Sequence, residues 1–424
     1  MRPSRPRGGP TMRPCSLAAH DAAPTLNGSC SASSAAHKLM RWRRGLLALA
    51  LVVLALAVLA SHARAGDATF GPVHEVLGET TAPVDLQLAD LDGDGDLDLV
   101  STSEDLGRVI WYENVDGQGQ LVENTLLHVE DNPAYMGLSV AIADMDGDTD
   151  PDVLSSMTTQ FSWYENRGLH SGAFGLELPV SPYIPFHCFS LFPADIDGDG
   201  DLDVAYGTTV EVGWYQNLDG RGTFGPAIPQ ATGMFYNRSV VAADLDSDGD
   251  LDLLVATYVD RTISWFENGG GGRFGPQQII TDAAYGARCV VAADLDGDLD
   301  LDVLCATAQG DRVMWFENRS GLAWFSDARV IGLDVDGATS VVAADLDLDG
   351  DLDVLVASAG DDSVSWYENQ DGRALFSARR VLLATASRAS VVRTGDLDGD
   401  GDLDVILGAT GDDQILWIEN LLLP

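Results

Sequence analysis

A run of five aspartates at alternate positions returns seven times along this chain, and that return limits what it can fold into. The runs begin at Asp90, Asp144, Asp195, Asp244, Asp294, Asp345 and Asp396, at spacings of 54, 51, 49, 50, 51 and 51 residues. Each is followed by a Trp-aromatic-acid-Asn tetrad or a close variant, from Trp111-Tyr112-Glu113-Asn114 to Trp417-Ile418-Glu419-Asn420. A phenylalanine then opens the next short segment at Phe174, Phe224, Phe274, Phe325 and Phe376. A unit of this size, built of short β-rich segments, cannot bury both of its faces alone. Repetition near fifty residues therefore points to blades stacked around an axis.

Four strands fit one repeat. In the fourth, the expected strands are Ser239–Ala243, Leu251–Thr257, Thr262–Asn268 and Phe274–Thr281, with Gly269–Gly272 as a tight turn. They are rich in Val, Ile and Trp and alternate only partly, as strands packed on both faces do. The last repeat ends after its third strand, whereas the first is preceded by an unpaired strand from Phe70 to Leu77. Pairing the two removes an open edge. The expected fold is all-β: a seven-bladed β-propeller of four-stranded antiparallel blades, closed by the N-terminal strand, over residues 66–424. One tryptophan per third strand reads as inter-blade core, and Asn114 and its equivalents read as turn residues.

The first acidic run, Asp90-Leu-Asp92-Gly-Asp94-Gly-Asp96-Leu-Asp98, puts carboxylates at positions 1, 3, 5, 7 and 9. Alternate residues of a tightly turning loop converge, and Gly at position 6 permits the turn. Converging carboxylates repel one another unless a cation lies between them. Six to eight oxygens in flexible geometry suit calcium; magnesium demands stricter octahedral order.

The chain resembles the FG-GAP/VCBS repeat family, whose repeats also form the β-propeller of integrin α-subunits. The resemblance rests on the D-x-D-x-D-G-x-x-D loops, the Phe-Gly-Pro strand starts at Phe70, Phe224 and Phe274, and the seven-fold count, and it covers residues 70–420. It implies up to seven structural calcium ions held by loop positions 1, 3, 5 and 9. In the first three repeats these are Asp90, Asp92, Asp94 and Asp98; Asp144, Asp146, Asp148 and Asp152; and Asp195, Asp197, Asp199 and Asp203. The fourth and fifth supply Asp244, Asp246, Asp248 and Asp252, then Asp294, Asp296, Asp298 and Asp302. The last two supply Asp345, Asp347, Asp349 and Asp353, then Asp396, Asp398, Asp400 and Asp404. Thr149 and Leu299 replace glycine at position 6, so repeats 2 and 5 are expected to bind most weakly. No counterpart of an integrin's leg domains is recognised, and integrin function is not carried over.

Charge narrows the partners. The chain carries 66 Asp+Glu against 24 Lys+Arg, and from Gly66 onward it has fifteen arginines and no lysine. Such a surface repels nucleic acid and anionic membranes, and without lysine neither Schiff-base chemistry nor a P-loop is possible there. The apolar run 46–60, preceded by Arg41, Arg43 and Arg44 and followed by Ala63-Arg64-Ala65, has the layout of an export signal over residues 40–65. An uncleaved signal anchor is the alternative, which would tether the protein to a membrane. Residues 1–39 read as a disordered leader or a mis-annotated start. Secretion with no membrane insertion after cleavage is the expectation. Cys289 and Cys305 are placed either to pair or to stay free as buried thiols, and Asn237-Arg238-Ser239 and Asn318-Arg319-Ser320 are glycosylation sequons.

His74, His128, His170 and His187 are scattered, and no nucleophile, metalloprotease or phosphate-loop pattern is present. No catalytic residue is assigned, and the chain is expected not to be an enzyme. The acidic loops should share one face with the turns before each outer strand. The opposite face carries Tyr135, Tyr183, Phe186, His187, Phe235, Tyr236 and Tyr285 in the loops entering repeats 2–5, with no aromatic residue entering repeats 1, 6 and 7. Tyr135, Tyr236 and Tyr285 are the candidate ligand face, with Arg238 and Arg288 able to bond acidic groups. These features imply a secreted, calcium-binding binding or adhesion module for an extracellular glycan or protein. The alternative is a polysaccharide-active hydrolase or lyase on the same scaffold.

Overall fold

The computed structural model describes residues 68–78, 81–105, 107–129, 136–158, 160–168, 173–181 and 186–422. The leader and export signal expected over 1–65 lie outside the described residues, as do Tyr135, Tyr183 and His170. The described residues form seven four-stranded antiparallel sheets and no helix. Six blades take their strands in chain order. The seventh takes three strands from the C-terminal end and its outer strand, Phe70–Val76, from the N-terminal end. That strand pairs with Gln414–Asn420, with Val73 opposite Ile418 and Val76 opposite Ile415. The ring is thus closed by a strand far away in sequence, as the unpaired segment at Phe70 required.

In the fourth blade the strands are Asn237–Ala243, Asp252–Thr257, Thr262–Phe266 and Gln278–Thr281. The outer strand starts four residues later than expected. Phe274 keeps only an isolated bridge to Asn268 and the ladder resumes beyond it, as it does after Phe174, Phe325 and Phe376 in their blades. All six residues of Asp252–Thr257 are buried, which explains the weak alternation in sequence.

The core lies between blades. Trp111, Trp163, Trp214, Trp265, Trp315, Trp366 and Trp417 are all at most 5% exposed. Trp366 of blade 6 packs with Val392, Leu407 and Ile418 of blade 7, and the other seams repeat this arrangement. Burying one such ring contributes up to about 4–6 kcal/mol. The fit is close at the turns. A Cβ on Gly222, at φ +71°, would lie 2.1 Å from the Trp163 ring of the preceding blade.

The innermost strands are Pro83–Ala89, Gly137–Ala143, Cys188–Ala194, Asn237–Ala243, Ala287–Ala293, Ala338–Ala344 and Ala389–Gly395, and they wall an axial channel. Every one carries a bulge at its second residue, which drops out of register with the neighbouring strand. These residues are Val84, Leu138, Phe189, Arg238, Arg288, Thr339 and Ser390, and all line the channel. The next residue along stitches adjacent blades. Ser139, Ser190, Ser239 and Ser340 hydroxyls accept the Leu191, Val240, Val290 and Val392 N–H groups of the following blade. At the closing seam, Arg393 donates to Asp85 at 2.6 Å.

Cys289 and Cys305 do not pair. Cys289 lies opposite Ala306 and Cys305 opposite Val290, one step apart and so on opposite faces of the blade, and both are free thiols.

Candidate metal sites and binding face

Each acidic loop connects the first two strands of its blade and is built largely by its own carboxylates. In the first loop, Asp90 Oδ1 accepts the Asp94 N–H at 3.1 Å and Asp90 Oδ2 accepts the Gly95 N–H at 3.0 Å. Asp94 Oδ1 accepts the Asp96 N–H at 3.0 Å. Loops 2 to 7 repeat the bond from the position-6 N–H to position 1. The loops are therefore preorganised, with carboxylates turned inward.

Position 9 closes the loop. Asp98 Oδ2 accepts the Leu91 N–H at 3.1 Å, and Oδ1 accepts the Asn114 N–H at 2.9 Å. Asp152, Asp203, Asp252, Asp302, Asp353 and Asp404 do the same in their blades. All seven are essentially inaccessible. Burial outweighs these bonds and pushes Asp98 up to about 6 and the other six to about 7. At position 3, Asp347 is raised to about 6 by burial and then by the Asp349 charge, and the other six position-3 carboxyls are raised too.

The donor set fits a hard cation. Carboxylate oxygens of Asp90, Asp92 and Asp94 lie within 4.8 Å of one another, as do those of Asp195, Asp197 and Asp199 and of Asp244, Asp246 and Asp248. In loops 2 and 5 the converging sets are Asp144, Asp146 and Asp152, and Asp294, Asp296 and Asp302. Two ionised groups 4.8 Å apart repel by about 1 kcal/mol in water and about 3.5 kcal/mol at an effective dielectric of 20. Three position-3 oxygens, Asp246 Oδ1, Asp296 Oδ1 and Asp347 Oδ1, are buried with no hydrogen-bond partner among the described residues. These clusters could hold metal ions, and an ion would supply the partner those oxygens lack.

Position 6 is left-handed in every loop, from φ +75° at Leu299 and +80° at Thr149 to +102° at Gly95. The expected strain at Thr149 and Leu299 is therefore present, although both keep the bond to position 1 at 2.9 Å. A second demand went unread in the sequence: position 4 is left-handed as well. Ser247 sits there at φ +61° and Leu348 at +55°, where the other five loops have glycine. Only loops 1, 3 and 7 have glycine at both positions.

The seven asparagines do more than shape turns, although Asn114 Oδ1 accepts the Gly119 N–H and Asn268 Oδ1 accepts the Gly270 and Arg273 N–H groups of the turns that follow them. Each is at most 2% exposed. Its Nδ2 donates to the carbonyl of position 2 in the preceding blade's loop, as from Asn166 to Leu91 at 2.8 Å. Asn217, Asn268, Asn318, Asn369 and Asn420 repeat this, and Asn114 reaches Leu397 across the closing seam. Every candidate metal loop is thereby tied to its neighbour. The sequons fail for the same reason. Asn318 is spent on such a staple, and buried Asn237 donates to the Thr208, Glu211 and Met234 carbonyls. Neither side chain can carry a glycan in the folded protein.

On the opposite face, Phe235, Tyr236 and Tyr285 are exposed at 47, 39 and 47%. Tyr236 is left-handed at φ +61° and pinned: its N–H donates to the Thr209 carbonyl, and its own carbonyl accepts the Tyr258 N–H. Its ring stacks on Phe189 with centroids 5.5 Å apart. Tyr285 is partly covered by Arg261, whose guanidinium lies 4.8 Å from the ring centroid. Tyr236 therefore edges the channel mouth beside Phe189, Arg238 and Tyr258, and Tyr285 sits under a cation. Phe189 and Tyr258 escaped the sequence reading because they lie in a strand and in the loop before a third strand.

Comparison with known proteins agrees with this geometry. The profile of the FG-GAP-like repeat matches residues 90–155, 144–206, 195–255, 244–305, 294–356 and 345–407, each match spanning two acidic loops. No curated protein sequence matches the chain. Among solved structures, a lectin of Agrocybe aegerita that recognises non-reducing terminal N-acetylglucosamine is similar at TM-score 0.54 and 20% identity, covering 81% of this chain and 86% of the lectin. BBS1N, solved in complex with ARL6DN, is similar at TM-score 0.56 and 13% identity over 84% of this chain and 97% of its own. Virginiamycin B lyase from Staphylococcus aureus is similar at 0.54 and 10% identity, over 83% and 99%. At these identities the likeness is one of fold.

Proposed function

From the premise that this chain belongs to the FG-GAP-like repeat family, we propose that it is a secreted, calcium-stabilised propeller that binds a ligand without transforming it. The observation that carries this reading is a division of labour between faces. One face repeats seven times, with acidic loops stapled blade to blade. The other is asymmetric, with exposed aromatic rings and two arginines gathered on neighbouring blades at the channel mouth. Core packing is needed equally in every blade, so an unequal set on one face is what a ligand would select. A glycan-binding propeller and a propeller held in a protein complex share the architecture, which supports a binding role for it.

Calcium fits better than magnesium because each loop gathers several carboxylates, and calcium takes six to eight such oxygens whereas magnesium gives up its water reluctantly. Its role would be structural: it would neutralise the converging charges and fix each loop against its neighbour. The test is a glycan and protein array probed with the purified chain in calcium and again in chelator. Specific binding that disappears on chelation together with the fold is expected. An array without hits, or a bound saccharide that is cleaved, contradicts the reading.

A further inference from the structure

The channel mouth has seven equivalent bulge positions, and the sequence fills them unequally. Arginine occupies two adjacent ones, Arg238 of blade 4 and Arg288 of blade 5. Both are half-buried, and neither has a hydrogen bond or ion pair among the described residues. The Nε atoms of both are buried without a partner. This is unusual in a chain so rich in carboxylates. Arg379 and Arg393, also half-buried, each hold one, at 2.8 Å to Asp361 and 2.6 Å to Asp85. Burial, and then the charge of Arg288, push Arg238 down to about 10; burial foremost lowers Arg288 too, and Arg388 at the rim adds repulsion. Among the described residues Glu104 is the carboxylate that acts on both, and it does so without an ion pair.

Two like charges held side by side, partly desolvated and unpaired, are costly unless something anionic joins them. The surroundings indicate what kind of anion. Arg238 lies 4.0 Å from the centroid of Phe189 and 5.5 and 5.8 Å from those of Tyr236 and Tyr258, and Arg288 lies 6.0 Å from Tyr258. Flat faces beside guanidinium forks suit a ring that carries a carboxylate. The cavity is about 480 Å³, the scale of a small-ligand pocket. A protein partner would instead need roughly 800 Å² of surface on each side. The negative surface elsewhere does not forbid an anion here, because its field is screened beyond about 8–10 Å at moderate salt.

We propose that the channel mouth is an acidic-sugar site, in which Arg238 and Arg288 grip the carboxylate of a uronic acid residue while Tyr236 and Tyr258 border its ring. This rests on the binding-module reading and names its ligand class. The test is calorimetric titration of the full chain, in saturating calcium, with galacturonic acid oligomers of two to four units. The matching neutral galactose oligomers, a sulfated galactose oligomer and a Glu-rich peptide are run beside them. Uronate is expected to bind at least ten-fold tighter than any of the other three. Arg238→Gln and Arg288→Gln should each weaken it about ten-fold or more, with melting temperature unchanged or raised because an unpaired buried charge is gone. Arg312→Gln, an exposed control away from the channel, should leave it unaltered. Uronate binding no tighter than the neutral sugar, preferred binding of the sulfated sugar or the peptide, or full binding by both arginine variants overturns the assignment. An array hit that ignores both arginine variants overturns this site but keeps the binding module, whereas an array without hits removes both.

Discussion

Replacing Asn369 by alanine isolates the staple that joins neighbouring blades. Its Nδ2 donates to the Leu295 carbonyl of blade 5 at 3.0 Å and to the Leu352 carbonyl of its own blade at 3.3 Å. Its backbone N–H to Asp353, at 2.7 Å, survives the change, so the acidic loop is not dismantled directly. Two hydrogen bonds are lost, each contributing about 0.5–1.5 kcal/mol net, and the freed carbonyls lie in a site where the parent residue is 1% exposed. With that desolvation cost the loss comes to about 2–4 kcal/mol, a large share of a typical domain stability of about 5–15 kcal/mol. For a domain of this size each kcal/mol moves the melting temperature by about 1.3 °C, so a fall of about 3–5 °C is expected. Circular dichroism melts in saturating calcium measure it. A variant melting within one degree of the parent would refute the staple as a source of inter-blade stability.

Two further outcomes follow from the loops. Leu299→Gly and Leu348→Gly each remove a left-handed non-glycine residue and should stabilise the calcium-loaded protein by about 1 kcal/mol in denaturant titrations, while Gly95→Leu costs a similar amount; no gain from either would mean the strain is absent. In chelator, the position-9 carboxyls hold protons in the fold up to about pH 6–7, whereas in the unfolded chain they lose them near 4, so the native state binds more protons across that window. Melting temperature in chelator should therefore fall as pH rises from about 4.5 to 7.5, and saturating calcium should reverse the slope; the same slope in both conditions would contradict metal binding at these groups.

The architecture was legible because its marks repeat. Seven aspartate runs fixed the blade count, the tryptophans fixed the seams, and the stray strand at Phe70 fixed the closure. What escaped has physical reasons. A bulge shifts the facing of one residue without a sequence mark, so nothing local said that Arg238 and Arg288 turn into the channel. An asparagine after an aromatic strand reads as a turn former, and its second role as a staple shows only when the neighbouring blade supplies a carbonyl for its amide. The left-handed demand at position 4 was hidden by Ser247 and Leu348, which accept the strain. The sequons at Asn237 and Asn318 fit the pattern but not the burial.

Calcium as a fold ligand is tested most directly by the melting temperature of the metal-stripped chain, measured in excess EDTA and again after calcium or magnesium is restored. For sites of about 0.1 mM affinity in about 1 mM calcium, each contributes about 1.4 kcal/mol, so several together rival the stability of a whole domain. A steep fall in chelator, reversed by calcium and not by equal magnesium, with up to seven ions bound per chain, is the expected result. An unchanged melting curve in excess chelator would contradict it.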